Sequence, residues 1–260
     1  MARKEKSEYI IQAVSHALDL LEQFHDEVDE LGVTELSKRL KLHKNNVFRL
    51  LATLESRGYI EQNKATENYR LGLKALELGQ TFIKQMGLLR QAKPILEKMV
   101  SECNETCYVA IFKEGHVVYL DMVETDMTVR VVSRVGSRLP AYCTAAGKVY
   151  LSHMSAEEIN EVLPKEDFQV YTDTTIKSRT QLKKELVQVA EQGYAIDNEE
   201  LDLGVHCVAA PIRDYTRRIV GSISISGPNM RLGEERIKKE LVPLVLEASE
   251  ELSTRLGYHK

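Results

Sequence analysis

The chain has few of the residues and segments that mark secreted, metal-binding or membrane proteins. Only four of its 260 residues are cysteine, and their spacing fits neither a disulfide framework nor a zinc ribbon. No stretch approaches the run of about 18 apolar residues that crosses a bilayer. The charged N-terminus has neither the apolar core nor the cleavage site of a signal peptide. We therefore expect a cytoplasmic protein that binds no metal, no other cofactor and no membrane.

Catalytic signatures are equally scarce. The sequence has no glycine-rich phosphate loop and no HExxH metal motif. His206 and Cys207, together with Asp197, supply the residue types of a cysteine nucleophile and its base. Adjacent residues of a strand point to opposite faces of a sheet, however, so His206 is badly placed to serve Cys207. We therefore expect no enzyme, with a cysteine-dependent enzyme as the alternative.

Charge is distributed unevenly along the chain, although the formal net charge is only −4. That balance argues against a uniformly basic coat for nucleic acid. Residues 19–30 include six acidic residues and no lysine or arginine, whereas residues 38–57 include six basic residues against one acidic residue, Glu55. Positive charge is therefore concentrated in one short segment, as a local contact with DNA phosphates requires.

Hydrophobic spacing in residues 1–72 predicts three helices and a hairpin. Apolar residues recur every three or four positions over residues 11–24, which predicts a first helix. Thr34 is the expected N-cap of a short second helix, and a turn at Leu42 and His43 separates that helix from a third. Two strand-like segments, 59–61 and 68–71, then flank a polar tip. These elements together predict a winged helix-turn-helix domain.

A different pattern follows this first domain. A wide apolar stripe over residues 73–90 predicts a linker helix that also forms part of a dimer interface, and Pro94 is expected in the first turn of the next helix. Strand-like alternation then recurs between helical segments, at residues 106–112, 117–123, 128–135, 194–198, 205–212 and 219–226. Residues 91–260 are thus expected to form an antiparallel sheet with helices packed on it, which makes the whole chain an α+β protein.

Segments from both halves of the chain resemble one known family. In the first half they are GVTELS at residues 32–37, LHKNNVFRLLATLE at 42–55 and YRLG at 69–72. In the second half they are LPAYCTAAGK at 139–148, DNEE at 197–200, GVHCVAAP at 204–211 and SISGP at 224–228. Over about residues 10–257 the chain resembles the IclR family of bacterial transcription regulators. The resemblance implies a winged helix-turn-helix, a linker helix and a GAF-like α/β effector-binding domain, assembled as a homodimer or homotetramer.

The predicted third helix supplies the candidates for reading double-stranded operator DNA. A recognition helix presents its N-terminal residues to base edges in the major groove, where asparagine pairs with adenine and lysine with guanine. The candidate base contacts are Lys44, Asn45, Asn46, Phe48 and Arg49, and the candidate phosphate contacts are Arg57, Lys64 and Arg70. Arg49 could equally clamp a phosphate or form an intradomain ion pair, and the last three could be ordinary solvated surface. The family more often has serine or threonine at positions 45 and 46, which predicts a distinct operator.

The resemblance also implies a ligand pocket in the second domain. Its residues are Ala145 and Ala146 at a helix start, Asp197, Cys207, and Ser224 and Ser226 on the last strand. Free N–H groups at a helix start favour an anion, so we expect a small organic acid as the effector. Its binding would move the linker helices and change the spacing of the two reading helices, which must match half-sites about 34 Å apart or a multiple of that. A winged helix that binds protein and has no sensing role is the alternative.

Overall fold

A computed structural model of the chain describes residues 10–25, 30–85, 87–132 and 134–259. Contacts between Cα atoms divide the chain into two compact units, Met1–Gln85 and Met86–Lys260. Residue 86 of the predicted linker helix and residue 133 of the predicted strand 128–135 lie outside the described residues.

In its described residues, the first unit contains four helices and a two-stranded hairpin. They are α1 (Gln12–Leu21), α2 (Val33–Leu40), α3 (Lys44–Ser56), β1 (Ile60–Gln62), β2 (Tyr69–Leu71) and α4 (Leu73–Gln85). One apolar cluster joins the first three helices to the hairpin, with Leu20, Leu36, Val47, Leu51 and Ile60 at most 1% exposed. The helix-turn-helix and its wing therefore pack around a common core.

The prediction that Thr34 is the N-cap of α2 was wrong. The N-cap is Gly32, two positions earlier. The reason lies outside the helix. Leu31 pairs with Tyr69 of the wing through two backbone hydrogen bonds of 2.9 Å. Because the chain leaves this bridge at Gly32, the helix starts directly after it.

The described part of the second unit contains six helices and six strands. They are α5 (Gly87–Cys103), β3 (Thr106–Lys113), β4 (His116–Val123), β5 (Arg138–Pro140), α6 (Ala145–Leu151), α7 (Ala156–Val162), α8 (Arg179–Gln192), β6 (Ala195–Asn198), β7 (Val205–Arg213), β8 (Ile219–Pro228), α9 (Glu234–Arg236) and α10 (Val242–Arg255). A 3-10 turn, Ala141–Cys143, precedes α6, and a π-helical turn, Ile237–Leu241, joins α9 to α10.

The six strands form one antiparallel sheet in the order β5-β4-β3-β8-β7-β6. One face packs on α5 and α10 through an apolar cluster that includes Val109 and Ile223. The opposite face packs on α6, which also contacts α8, through a second cluster that includes Ala110 and Ala209. Neighbouring residues of a central strand therefore face two different cores.

Two local predictions for this unit were wrong. Pro94 lies inside α5 and not in a first turn. An interior proline costs about 3 kcal/mol, but α5 also buries large side chains such as Leu96 and Met99, each worth about 1.5–3 kcal/mol. No strand forms in the described part of residues 128–135. Alternation of apolar and polar residues is compatible with a strand, but a strand also needs a neighbouring strand to pair with.

Candidate functional site

Helix α3 presents polar and aromatic side chains at its N-terminal end. Val47, Leu51 and Leu54 bury its inner side in the core. The five candidate base contacts are all exposed: Lys44, Asn45, Asn46, Phe48 and Arg49. The N-cap residue, His43, makes no side-chain cap bond, so the first backbone N–H groups are available to an acceptor such as a DNA phosphate.

The structure divides these five candidates between two sides of α3. Asn46 and Arg49 line a groove of about 750 Å³ between α1 and α3, whereas Lys44, Asn45 and Phe48 do not line it. Among the ion pairs of the described residues, none involves Arg49. The intradomain ion pair considered for Arg49 therefore has no support in this part of the chain.

The three candidate phosphate contacts lie at the end of α3 and on the wing. Arg57 follows the last residue of α3, and Lys64 lies between the two wing strands; both are exposed. Arg70 of β2 forms a 2.7 Å ion pair with its cross-strand partner Glu61, and both side chains are more than half exposed. Such a pair contributes about 0–1 kcal/mol, so a phosphate can replace the carboxylate.

Three of the predicted effector residues form one row across the sheet of the second unit. Strand pairing puts Ser226 of β8 opposite Cys207 of β7, and Cys207 opposite Asp197 of β6. Directly paired residues point to the same face, and Ser226 Oγ donates to Cys207 Sγ at 3.0 Å. Thr106 of β3, which the sequence reasoning missed, extends the row because it pairs with Ser226. This "polar row" (Thr106, Ser226, Cys207 and Asp197) lies on the face that α6 covers.

Ser224 lies beside the polar row, two residues before Ser226 and on the same face. Its cross-strand partner is Tyr108 of β3, a buried residue that the sequence reasoning also missed. The rings of Tyr108 and Tyr119 pack edge to face with 5.1 Å between their centroids. Strand register, which the sequence does not show directly, brings these aromatic rings to the site.

Helix α6 covers the site with small side chains. Ala145 and Ala146 occupy its first turn and are at most 2% exposed. The helix has seven residues, and the Thr144 hydroxyl accepts the N–H of Gly147 at 3.3 Å. One of the N–H groups near the helix start therefore already has a partner. Anion binding at this helix start stays a prediction. The helix start offers fewer free N–H donors than the sequence suggested.

Asp197 is the most perturbed carboxyl group of the site. Its side chain is buried, and its Oδ1 accepts the N–H of Glu200 at 2.8 Å. Burial, and then the negative charge of Glu200, raise the pKa of Asp197 to about 7, while the charge of Lys148 acts in the opposite direction. Near neutral pH the carboxyl is therefore partly protonated and can donate as well as accept a hydrogen bond.

Cys207 lacks the surroundings of a catalytic nucleophile. Burial and the negative charge of Asp197 raise the pKa of its thiol, and a neutral thiol is a poor nucleophile. His206 is engaged elsewhere: its Nδ1 lies 2.6 Å from the carbonyl oxygen of Leu232, and its Nε2 lies 3.7 Å from Glu199 Oε1. The cysteine-dependent enzyme therefore finds no support in the geometry.

A buried ion pair beside the site was not predicted. Lys148 of α6 is fully buried and donates to Glu200 at 2.5 Å and to Glu185 of α8 at 2.9 Å. Burial lowers the pKa of Lys148, but the two carboxylates outweigh burial and leave that pKa raised. The signal that could have revealed the pair is a lysine within AAGKVYL, residues 145–151, where the other side chains are small or apolar except for one tyrosine.

These observations define a class of protein. One unit exposes the N-terminal end of a helix-turn-helix reading helix beside a wing, and the other buries a polar row inside a helix-covered sheet. In the described ranges, no helix has both the length and the apolar character needed to cross a membrane, and no group of three His, Cys, Asp or Glu residues could hold a metal ion. The arrangement is that of a DNA-binding transcription regulator with an effector domain.

Comparison with known proteins identifies the family. The IclR helix-turn-helix domain matches residues 13–64, and the bacterial transcriptional regulator IclR C-terminal domain matches residues 80–254. The HTH-type transcriptional regulator KdgR of Escherichia coli is 36% identical over 230 residues, which are 88% of this chain and 87% of KdgR. The chain belongs to the IclR family of bacterial transcriptional regulators, which confirms the family and fold class predicted from the sequence.

Solved structures agree with this assignment. The Thermotoga maritima IclR is similar with a TM-score of 0.77 and 29% identity, over 95% of this chain and 99% of that one. An IclR homologue from Microbacterium hydrocarbonoxydans, crystallised with 4-hydroxybenzoate, shares the fold with a TM-score of 0.84 and 21% identity, over 94% of this chain and 99% of that one.

Proposed function

We propose that the chain binds operator DNA as a homodimer, or as a dimer of dimers, and that a small carboxylic acid bound at the polar row controls this binding. The polar row carries the proposal, because it buries polar side chains under α6 in a unit separate from the reading helix. The hydroxyls of Ser224 and Ser226 and the Asp197 carboxyl, with a pKa of about 7, can each donate or accept a hydrogen bond with a polar ligand. The regulator acts in the cytoplasm, where bacterial DNA lies.

Base reading is assigned to the open side of α3. Lys44, Asn45 and Phe48 are exposed there and lie outside the groove against α1. Asn45 suits a bidentate contact with adenine, worth about 1–3 kcal/mol of discrimination. Lys64 on the wing suits a phosphate contact, which carries no base preference.

Two variants with different signatures test this assignment on an operator selected from random DNA by the purified protein. Asn45→Ala is expected to lose preference for the operator over random DNA. Lys64→Ala is expected to weaken both alike and to reduce the slope of log affinity against log salt by about 1. Lys183→Ala, an exposed lysine on α8, is the control. Equal loss on both DNAs for Asn45→Ala would refute base reading by this residue.

Exposed apolar side chains on α1 and α4 support the dimer. Leu18 of α1 is 54% exposed, and Leu76 and Leu78 of α4 are 58% and 60% exposed. The sequence predicted an apolar stripe on the first helix, and contiguous exposed apolar surface marks an interface. Leu18→Glu is expected to shift the protein towards monomer in analytical ultracentrifugation, whereas Val187→Glu on α8, 58% exposed, is not. A monomeric wild type contradicts the proposal.

Effector binding is tested by thermal shift, because a ligand that binds the native state stabilises it. Pyruvate, gluconate and 4-hydroxybenzoate represent keto, sugar and aromatic acids. The double variant Asp197→Ala, Ser224→Ala is expected to lose the stabilisation that the wild type shows, while Ser101→Ala on α5 keeps it. An unchanged response in the double variant would rule out this pocket.

A further inference from the structure

An ion pair links two loops above the polar row. Arg134 lies in the loop 124–137, between β4 and β5, and donates through Nη2 to Oδ2 of Asp202 in the loop 199–204, between β6 and β7. Strands β3 and β8 separate β4 from β7 in the sheet. The pair therefore reaches across the two strands that carry Tyr108, Ser224 and Ser226.

Strand register puts both loops at the end of the sheet where the polar row lies. Val123, the last residue of β4, pairs with Cys107 near the start of β3. Asp197, near the end of β6, pairs with Cys207 near the start of β7, and Cys207 pairs with Ser226. The ion pair thus crosses the sheet at the edge of the predicted effector site.

The loop that carries Arg134 is held on both sides of this residue. The Tyr108 hydroxyl donates to the carbonyl oxygen of Val132 at 3.3 Å, and the N–H of Gly136 donates to the carbonyl oxygen of Tyr119 at 2.8 Å. Both tyrosines belong to the sheet that carries the polar row. The backbone at Val132 and at Gly136 is therefore tied to the sheet that carries the polar row.

The positive charge of Arg134 reaches the site. Burial raises the pKa of Cys207, Tyr108 and Tyr119, and the charge of Arg134 acts against this rise in all three. Lys148, whose charge acts on Asp197, is fully buried and already holds two glutamates. The side chains of Arg134 and Asp202 are 22% and 43% exposed, so water reaches their pair and separating it costs little.

We propose that Arg134 binds the carboxylate of the effector, and that Asp202 is the counter-ion that the effector carboxylate replaces. The planar guanidinium fork pairs with a carboxylate through two parallel N–H donors. The inference rests on the carboxylic-acid effector of the proposed function. It assigns recognition of the negative charge to a loop residue, while the polar row binds the remainder of the ligand.

Calorimetric titration of the full-length protein with pyruvate and 4-hydroxybenzoate, and with their amides, tests the pairing. Arg134→Gln is expected to weaken binding of the acid by about 10- to 100-fold and to leave binding of the amide unchanged. Arg134→Lys keeps the positive charge but loses the planar fork, so its affinity for the acid is expected to lie between those of the wild type and Arg134→Gln. Asp202→Asn removes the competing carboxylate and is expected to tighten binding of the acid.

Arg138→Gln is the matched control, because Arg138 lies on β5, is 49% exposed and pairs with Glu114 at 3.2 Å. It is expected to bind the acids like the wild type. If the wild type binds neither acid, the proposed carboxylate effector fails and this inference fails with it. If the wild type binds an acid and Arg134→Gln binds it equally well, only the role of Arg134 is overturned. If Arg134→Gln does not fold, Asp202→Asn serves as the test. Weaker binding of the acid by Asp202→Asn than by the wild type would then overturn the role of Arg134.

Discussion

Replacing Lys148 by methionine tests the buried ion pair that joins α6 to its neighbours. Lys148 is fully buried and Glu200 is 8% exposed, whereas Glu185 is 37% exposed. Lys148→Met would leave the Glu200 carboxylate buried without its cation, and its Oε2 already has no hydrogen-bond partner. Breaking a buried pair in this way costs about 3–5 kcal/mol. Glu185→Gln removes a carboxylate that water can reach, so its cost is at most about 1 kcal/mol.

Urea unfolding followed by far-UV circular dichroism measures both free energies at one protein concentration, because oligomer stability depends on concentration. The double variant Lys148→Met, Glu200→Gln is expected to recover part of the loss, since it removes the uncompensated charge. A loss below about 1 kcal/mol in Lys148→Met, or a larger loss in Glu185→Gln than in Lys148→Met, would refute the reasoning.

Three further predictions concern stability. The native state holds the Asp197 proton up to a pKa of about 7, against 3.8 for an ordinary Asp, so native stability falls as pH rises from about 4 to 7. Because an asparagine side chain has no proton to lose, the free energy of unfolding of Asp197→Asn is expected to rise relative to that of the wild type over this pH range. The rise is at most about 4 kcal/mol, at 1.36 kcal/mol per pKa unit. A difference in Tm that does not change with pH would contradict this prediction. A Cβ on Gly147 would lie 2.3 Å from the Ala141 backbone, so Gly147→Ala is expected to lower the free energy of unfolding in urea by about 3 kcal/mol. Gly79 of α4 faces open space, so Gly79→Ala is expected to raise that free energy by up to about 1 kcal/mol. Ser155→Ala removes the capping box that opens α7 and is expected to lower the free energy of unfolding by about 1 kcal/mol; no change in Tm would show that the box contributes nothing.

Several element ends follow from signals that are local in the sequence. Ser155 and Glu158, three residues apart, form a capping box at the start of α7. Gly193 ends α8 in left-handed backbone with a φ of 78°. Gly58, also at positive φ, follows the end of α3. Each of these signals acts within four residues of the chain, so neighbouring residue types contain all the information that the structure needs there.

Local signals failed where a distant partner decided the outcome. The start of α2 depends on the bridge between Leu31 and Tyr69. Pro94 is tolerated inside α5 because that helix buries its apolar side against the sheet. The strand expected within residues 128–135 finds no partner strand in its described part, which instead carries Arg134 to the edge of the predicted site.

The amino-acid sequence by itself determined the helix-turn-helix, the wing, the α+β class and the family, because periodicity, caps and short motifs are local properties. It also identified Asp197, Cys207 and Ser226 as candidates, although nothing in their spacing shows that they form one row. Tertiary structure decided that row, the Lys148 ion pair and the pairing of Arg134 with Asp202 across 68 positions. A hydrophobic pattern specifies which face a side chain occupies, whereas its partner depends on strand order and register, which form only when distant segments pack.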